Sequence, residues 1–348
     1  MSTRKLLVGQ TPIGGDAPIA IQTMWKDRLS EDGLNEATIA RIQGLYEMGC
    51  SLLRFAVPDM AAASTLGRLA EMTLDMPHPL PLVADIHFDY KIALRCMDFP
   101  LAKIRINPGN IGSKDKVKAV LDKAGEKGLP IRIGVNAGSL PAGKTLLDAA
   151  LDEIKLFDEF HFTNYLVSAK ASSVRETIEA NRLLAKALPD VPLHIGVTEA
   201  GPLVAGTVRN TIALYTLLSE NIGDTIRVSL SDTMENEVIA AKEILRASAP
   251  PRELSPGIKI ISCPRCGRNS FDTHAFTTRW LERLYKLQSN ASIAIMGCVV
   301  NGPGEARNAD LGITGVGDKV LLFKHGEVIR TIKADEADAV FAEELSRL

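Results

Sequence analysis

The stretch Ile131-Arg132-Ile133-Gly134-Val135-Asn136 alternates between two faces. Residues i and i+2 of a strand share a face, so Arg132 and Asn136 point one way, Ile131 and Ile133 the other. An apolar face for helices and a polar face ending at one strand tip is what a barrel strand needs. The same alternation recurs outward from this stretch. Asp85 shares a face with His87, Arg105 with Asn107, Ser168 with Lys170, and Arg227 with Ser229. Their opposite neighbours Ile104, Ile106, Ile226 and Val228 are apolar. Apolar, β-branched runs at 19–23, 52–57, 81–87, 102–107, 131–136, 160–169, 193–199 and 225–230 supply eight strands. Helical spacing lies between most of them, at 36–48, 61–72, 114–127, 174–187, 208–219 and 236–247. Strand–helix alternation repeated eight times predicts a (β/α)8 TIM barrel, an α/β fold. An open doubly wound sheet is the alternative, but no Gly-x-Gly-x-x-Gly follows the first run, and there is no Walker-type phosphate loop. A short run at 5–8 reads as a hairpin strand plugging one end.

The rhythm breaks at Pro250, Pro251 and Pro256. Proline cannot continue a helix, so 249–256 reads as a stiff linker. It divides a barrel domain, 1–248, from a small α+β domain, 257–348. Four strand-like runs (257–262, 292–296, 320–323 and 328–332) and two helices (273–287 and 335–347) fit the second domain.

Strand tips gather Arg54, Arg105, Arg132, Lys170 and Arg227 at the C-terminal mouth, where such barrels place their active sites. Five converging cations repel one another and need an anion. Guanidinium forks match phosphate oxygens, so the mouth reads as a pocket for a small, multiply charged anion such as a diphosphate. The plainer reading is that some pair with Asp85, Glu199 or Asp232. His87 serves equally as a lining residue or a substrate contact. His78, His161, His194, His274 and His325 lack metal-ligand spacing and read as structural. Glu199, an acid among cations at a strand end, reads as a proton donor or acceptor.

Two segments of the second domain carry a different chemistry: Cys263-Pro264-Arg265-Cys266-Gly267, and Met296-Gly297-Cys298 running on to Asn301-Gly302-Pro303-Gly304-Glu305. Each follows a strand-like run, so Cys263, Cys266 and Cys298 meet at one sheet edge. Soft thiolates suit zinc or an iron–sulfur cluster. Glu305 is the nearest candidate for a fourth position. Cys50 and Cys96 sit in apolar contexts and read as buried thiols.

The 348 residues are 46% hydrophobic and 24% charged, with a net charge of −2. That balance is globular and gives no support for nucleic-acid binding. There is no membrane-length apolar run and no signal-peptide core. An odd cysteine count without a disulfide framework predicts a reducing, cytoplasmic setting.

The two cysteine segments resemble the cluster-binding motifs of 4-hydroxy-3-methylbut-2-enyl diphosphate synthases. The likeness continues through Ala84-Asp85-Ile86-His87-Phe88-Asp89-Tyr90, Arg105-Ile106-Asn107-Pro108-Gly109-Asn110-Ile111-Gly112, Arg132 to Ser139, and Thr198-Glu199-Ala200-Gly201. It covers nearly the whole chain in order. The resemblance implies an oxidoreductase of the methylerythritol phosphate route to isoprenoids. Its reaction would be reductive ring opening and dehydration of 2-C-methyl-D-erythritol 2,4-cyclodiphosphate. It implies a [4Fe–4S] cluster on Cys263, Cys266, Cys298 and Glu305, with Glu199 and Glu305 catalytic. Arg54, Asp85, His87, Arg105, Asn107, Arg132, Asn136, Lys170, Arg227 and Ser229 would bind substrate. Flavodoxin or ferredoxin would supply electrons.

A head-to-tail homodimer follows from two arguments. The last barrel helix runs back roughly 24 Å from the mouth. The linker reaches at most roughly 30 Å, so capping a partner's barrel is easier than capping its own, as the resemblance also implies. Two departures stand out: Met24-Trp25-Lys26-Asp27-Arg28-Leu29 replaces a Thr/Asn-rich loop, and the segment after Ser139 is short. The other readings are a pterin-binding or other transferase barrel with a structural zinc module, and an inactive barrel with a docking module.

Overall fold

The computed structural model describes residues 3–248, 252, 254 and 256–348, apart from the side chains of Asn301, Pro303 and Glu305. The chain forms two compact units, Met1–Leu254 and Ser255–Leu348. The expected linker, 249–256, falls largely outside the described residues.

The first unit opens with an antiparallel hairpin, β1 (Leu6–Val8) and β2 (Thr11–Ile13). Val8 and Ile13 pack against Ala20, Leu52, Val83 and Ala102, four residues in or just ahead of barrel strands. The hairpin therefore plugs that end. Eight parallel strands follow: β3 (Ala20–Met24), β4 (Leu52–Ala56), β5 (Leu82–Asp85), β6 (Lys103–Ile106), β7 (Ile131–Asn136), β8 (Tyr165–Lys170), β9 (His194–Ile195) and β10 (Thr225–Ile226). They pair in the order β8-β7-β6-β5-β4-β3-β10-β9. A bridge between Val167 and Leu193 joins the two ends of that series and closes the barrel.

Three strands fall furthest short of their apolar runs. In the run at 160–169, Phe160 caps the preceding helix and His161 adopts φ +55°, so pairing starts at Tyr165. The runs at 193–199 and 225–230 keep two-residue ladders and continue as irregular backbone. Single bonds still tie them in, from Thr198 N to Ala171 O (3.0 Å) and from Arg227 N to Ile195 O (3.1 Å).

The helices of this unit are α1 (Glu36–Glu47), α2 (Met60–Leu74), α3 (Tyr90–Cys96), α4 (Pro108–Ile111), α5 (Lys114–Glu126), α6 (Leu146–Glu159), α7 (Val174–Ala187), α8 (Leu203–Ser219) and α9 (Met234–Ser248). Side-chain oxygens start several of them. Asn35, Asp59 and Ser173 each accept a backbone N–H three residues on, and Thr145 with Asp148 forms a capping box. The outward face of the barrel strands is apolar, as the alternation predicts: Ile104, Ile106, Ile131, Ile133 and Ile226 are fully buried. Cys50 and Cys96 are buried too, and burial pushes both thiols up to about 12.

The second unit holds a five-stranded sheet: β11 (Lys259–Ser262), β12 (Ser292–Met296), β13 (Leu311–Val316), β14 (Lys319–Lys324) and β15 (Glu327–Lys333), in that order. The first three are parallel and the last two antiparallel. The sequence reading allowed four strands and missed β13. Two glycines interrupt its apolar run, and glycine inside a strand reads as a turn. Gly312 is there because a Cβ would strike the Phe323 ring on β14. Helices α10 (Thr273–Tyr285) and α11 (Ala337–Leu345) flank the sheet, and Phe276, Trp280 and Phe341 form the aromatic centre of its core.

Candidate functional site

Strand alternation brings the predicted cations into the barrel interior. Arg54, Arg105, Arg132 and Lys170 are all buried, and Arg227 is nearly so. Asp85 links two of them. Its Oδ1 is 3.0 Å from Arg105 Nη1, and its Oδ2 is 3.4 Å from Arg54 Nε. Burial alone would raise the Asp85 carboxyl, but Arg54, a hydrogen bond from His87, and Arg105 hold it well below the usual carboxylate range. Arg105 Nη1 also faces His87, 3.2 Å from Nε2, and Arg105 Nη2 donates to Gly134 O at 3.2 Å. The Asn136 amide, with its oxygen toward Arg105, accepts from Nη2 at 3.2 Å.

Gly134 makes this packing possible, because a Cβ there would overlap the Arg105 guanidinium. Gly134→Ala should therefore displace Arg105 from Asp85. A displacement of about 1 Å at such a group can cost about 100-fold, so kcat/KM should fall by about that factor, and the melting temperature should fall as well because the Asp85 pair is disturbed.

Arg132 is different. Among the described residues, neither its Nε nor its Nη1 has a hydrogen-bond partner. Burial, reinforced by Arg54 and Arg105, pulls its pKa well below the ordinary value. A fully desolvated guanidinium with open donors is the strongest sign that this interior expects an anion. A cavity of about 230 Å³ is lined by Asp85, His87, Phe88 and Asp89.

The structure adds groups that strand alternation alone did not single out. Glu237, fully buried on α9, accepts from Thr23 Oγ1 (2.6 Å), Lys26 Nζ (2.5 Å), Arg227 Nη2 (3.1 Å) and Leu230 N (3.0 Å). Arg227 thus pairs with Glu237, rather than with Asp85, Glu199 or Asp232. Lys26, from the loop that departs from the family pattern, is anchored by the same carboxylate. His194, read as structural, lies inside the barrel 2.9 Å from Lys170 Nζ. Lys103 is fully buried below Arg105 and donates to Gln22 Oε1 at 3.4 Å. Two signals pointed to these residues. Lys103 is two positions before Arg105 and shares its face. Glu237 is an acid within an otherwise apolar helical stripe with Val238, Ala241 and Ile244.

Glu199 is exposed, just beyond β9, with φ +51°. Left-handed backbone at a residue other than glycine is worth about 1–3 kcal/mol of strain. Asn107 is buried at the start of α4. Ser229 is half-buried, and its carbonyl accepts from Asn210 at 3.4 Å.

In the second unit, Cys263, Cys266 and Cys298 line one cavity of about 200 Å³ with Arg265, Arg268, Asn269 and Gly297. The turn after β11 puts Arg265 at φ +65°. Gly297 N donates to Cys263 Sγ at 3.1 Å, and a Cβ on Gly297 would collide with Asn269. The Glu305 side chain lies outside the described residues; its backbone closes a π-helical turn, Val300–Glu305. Among the described residues, no three metal-binding side chains converge tightly enough for a single ion. Three thiols around one cavity fit zinc, and they fit the donor set of an iron–sulfur cluster as well. The backbone N–H to sulfur and the two arginines suit its negative charge.

Similarity to known proteins agrees with both halves. The GcpE TIM-barrel domain matches residues 3–242, and the GcpE protein C-terminal domain matches 259–347. A Treponema pallidum 4-hydroxy-3-methylbut-2-en-1-yl diphosphate synthase (flavodoxin) is 49% identical, covering 97% of this chain and 88% of its own length. The Geobacter sulfurreducens protein of the same name is 43% identical, covering 98% and 96%. A solved N-acetylneuraminic acid synthetase from Leptospira borgpetersenii superposes with a TM-score of 0.51 at 11% identity, over 71% of this chain and 90% of its own. Yersinia pestis DHPS does so with a TM-score of 0.51, also at 11% identity, over 71% and 100%. These two likenesses show the barrel fold alone. The chain belongs to the GcpE family of 4-hydroxy-3-methylbut-2-en-1-yl diphosphate synthases.

Proposed function

We propose that this oxidoreductase converts 2-C-methyl-D-erythritol 2,4-cyclodiphosphate to 4-hydroxy-3-methylbut-2-en-1-yl diphosphate with the residues assembled above. The reaction takes two electrons and two protons, opens the ring and releases one water. Arg132, with its open donors, carries the reading. It receives a phosphate together with Arg54, Arg105, Lys170 and Arg227, while Asn107, Asn136, His87 and Ser229 shape the rim. Asp85 and Glu237 keep the guanidinium forks in place before the substrate arrives, so little orientation is left to be done on binding. Glu199 handles a proton as water leaves.

Cys263, Cys266 and Cys298, with Glu305 as the fourth ligand, would hold a [4Fe–4S] cluster. When bound, that cluster supplies electrons one at a time. Flavodoxin is the electron donor in the relatives' names, and we take it or ferredoxin as the donor here. A cytoplasmic location goes with such a donor; among the described residues, no helix is long and apolar enough to cross a membrane. We further infer a head-to-tail homodimer in which each small unit covers its partner's barrel mouth, which sedimentation will test.

The decisive experiment is metal and sulfide analysis of protein purified without oxygen. About four irons and four acid-labile sulfides per chain are expected. Stoichiometric zinc with no sulfide would overturn the redox reading.

A further inference from the structure

Beneath the arginines lies a contact between two bases. Lys170 Nζ and His194 Nε2 are 2.9 Å apart, and His194 Nδ1 is 2.5 Å from Thr225 Oγ1. His194 and Thr225 are fully buried and Lys170 is nearly so. A hydrogen bond between two nitrogen bases needs one donor and one acceptor. With Lys170 donating, Nε2 accepts, and Nδ1–H donates to Thr225; the imidazole is neutral. Gly196 leaves room for the Nζ, since a Cβ there would come within 3.1 Å of it.

The charged groups around this pair are nearly all cations. Arg54 (β4), Lys103 and Arg105 (β6), Arg132 (β7) and Arg227, just past β10, act on it from five positions. The two buried carboxylates of the mouth are engaged elsewhere: Asp85 with Arg54 and Arg105, Glu237 with Lys26 and Arg227.

We propose that Lys170 and His194 form a proton-uptake pair: the pair gains one proton when the diphosphate enters, and His194 holds the resulting ammonium toward the anion. The inference rests on reading the mouth as a diphosphate pocket. Without an anion, an ammonium at Lys170 would be one more buried cation among five. Burial and then Arg132, Arg54, Arg227 and Arg105 pull Lys170 well below its ordinary pKa. Burial, then Lys170 and Arg132, do the same to His194. A bound anion offsets much of that positive field and favours the ammonium. His194 is a positioning residue here; Lys170 is the group that meets the substrate.

The cyclic diphosphate is a clean probe, because each of its phosphates carries a single strongly acidic proton and takes up none near neutrality. The test is isothermal titration calorimetry of the anaerobic holoenzyme with that substrate, without an electron donor, in buffers of different ionisation enthalpy. The observed enthalpy should vary linearly with buffer enthalpy, with a slope near one proton per chain. Affinity should fall up to about tenfold per pH unit above the pair's free-state pKa. Lys170→Arg, charged at every pH, should bind with no buffer dependence. His194→Gln keeps an acceptor for Nζ and should retain the slope. His194→Leu removes that acceptor and should weaken binding about tenfold. Measurable binding with a buffer-independent enthalpy, or a slope that survives in Lys170→Arg, overturns the proton-uptake pair and leaves the pocket standing. Absence of any binding overturns the pocket itself.

Discussion

Cys298→Ser, purified without oxygen, is expected to contain no acid-labile sulfide and to show no reductive turnover above background. The substitution changes one atom and nearly preserves volume, so the second unit should keep its far-ultraviolet dichroism. The oxygen of serine is a harder and much weaker partner for iron than a thiolate. Losing an outer-sphere partner of a metal site already costs about 10–100-fold, so losing a ligand should exceed that range. Cys50→Ser and Cys96→Ser are the controls. Both thiols are buried in the barrel unit and pushed up to about 12, so neither offers a thiolate, and iron content should not change. Full sulfide content in Cys298→Ser would remove that residue from the ligand set.

Asp85→Asn should be strongly destabilising. The carboxylate is 3% exposed and ion-paired with two buried guanidinium groups. Removing one member of such a buried ionic group costs about 3–5 kcal/mol, because the remaining charges are left without compensation. For a unit of this size that corresponds to a fall in melting temperature on the order of 10 °C.

The pH dependence has a definite sign. Asp85 is held below its unfolded value, near 3.9. Its contribution is therefore fully present above that value and is lost only as pH falls through the much lower folded value. The gap between wild type and Asp85→Asn should stay constant from pH 8 down to about 4. A melting temperature within about 2 °C of wild type would mean that the arginines find water or another partner once the carboxylate is gone.

The parts of the molecule with a short period were legible in the sequence. Period-two alternation assigned Arg105 and Arg132 to the inside and Ile104, Ile131 and Ile133 to the outside, and burial agrees for each. Cys-x-x-Cys after a strand is a local pattern, as is the second cysteine segment. The ends of β9 and β10 were less legible, because apolar residues such as Val197, Val228 and Leu230 are buried there without a ladder. An apolar run reports burial, and pairing is a separate matter.

By itself, the sequence determined that this chain is an eight-fold strand–helix repeat with a cationic mouth, followed by a smaller thiol-bearing unit. Those properties follow from residue chemistry at fixed local spacing. Only the tertiary structure decided which charge meets which. It paired Arg227 with Glu237, some ten residues along on a helix, and Asp85 with two arginines from neighbouring strands. It set His194 against Lys170 and left Arg132 with open donors. Electrostatic and hydrogen-bond partners are chosen by distance across the closed barrel, and no local period in the chain encodes that distance.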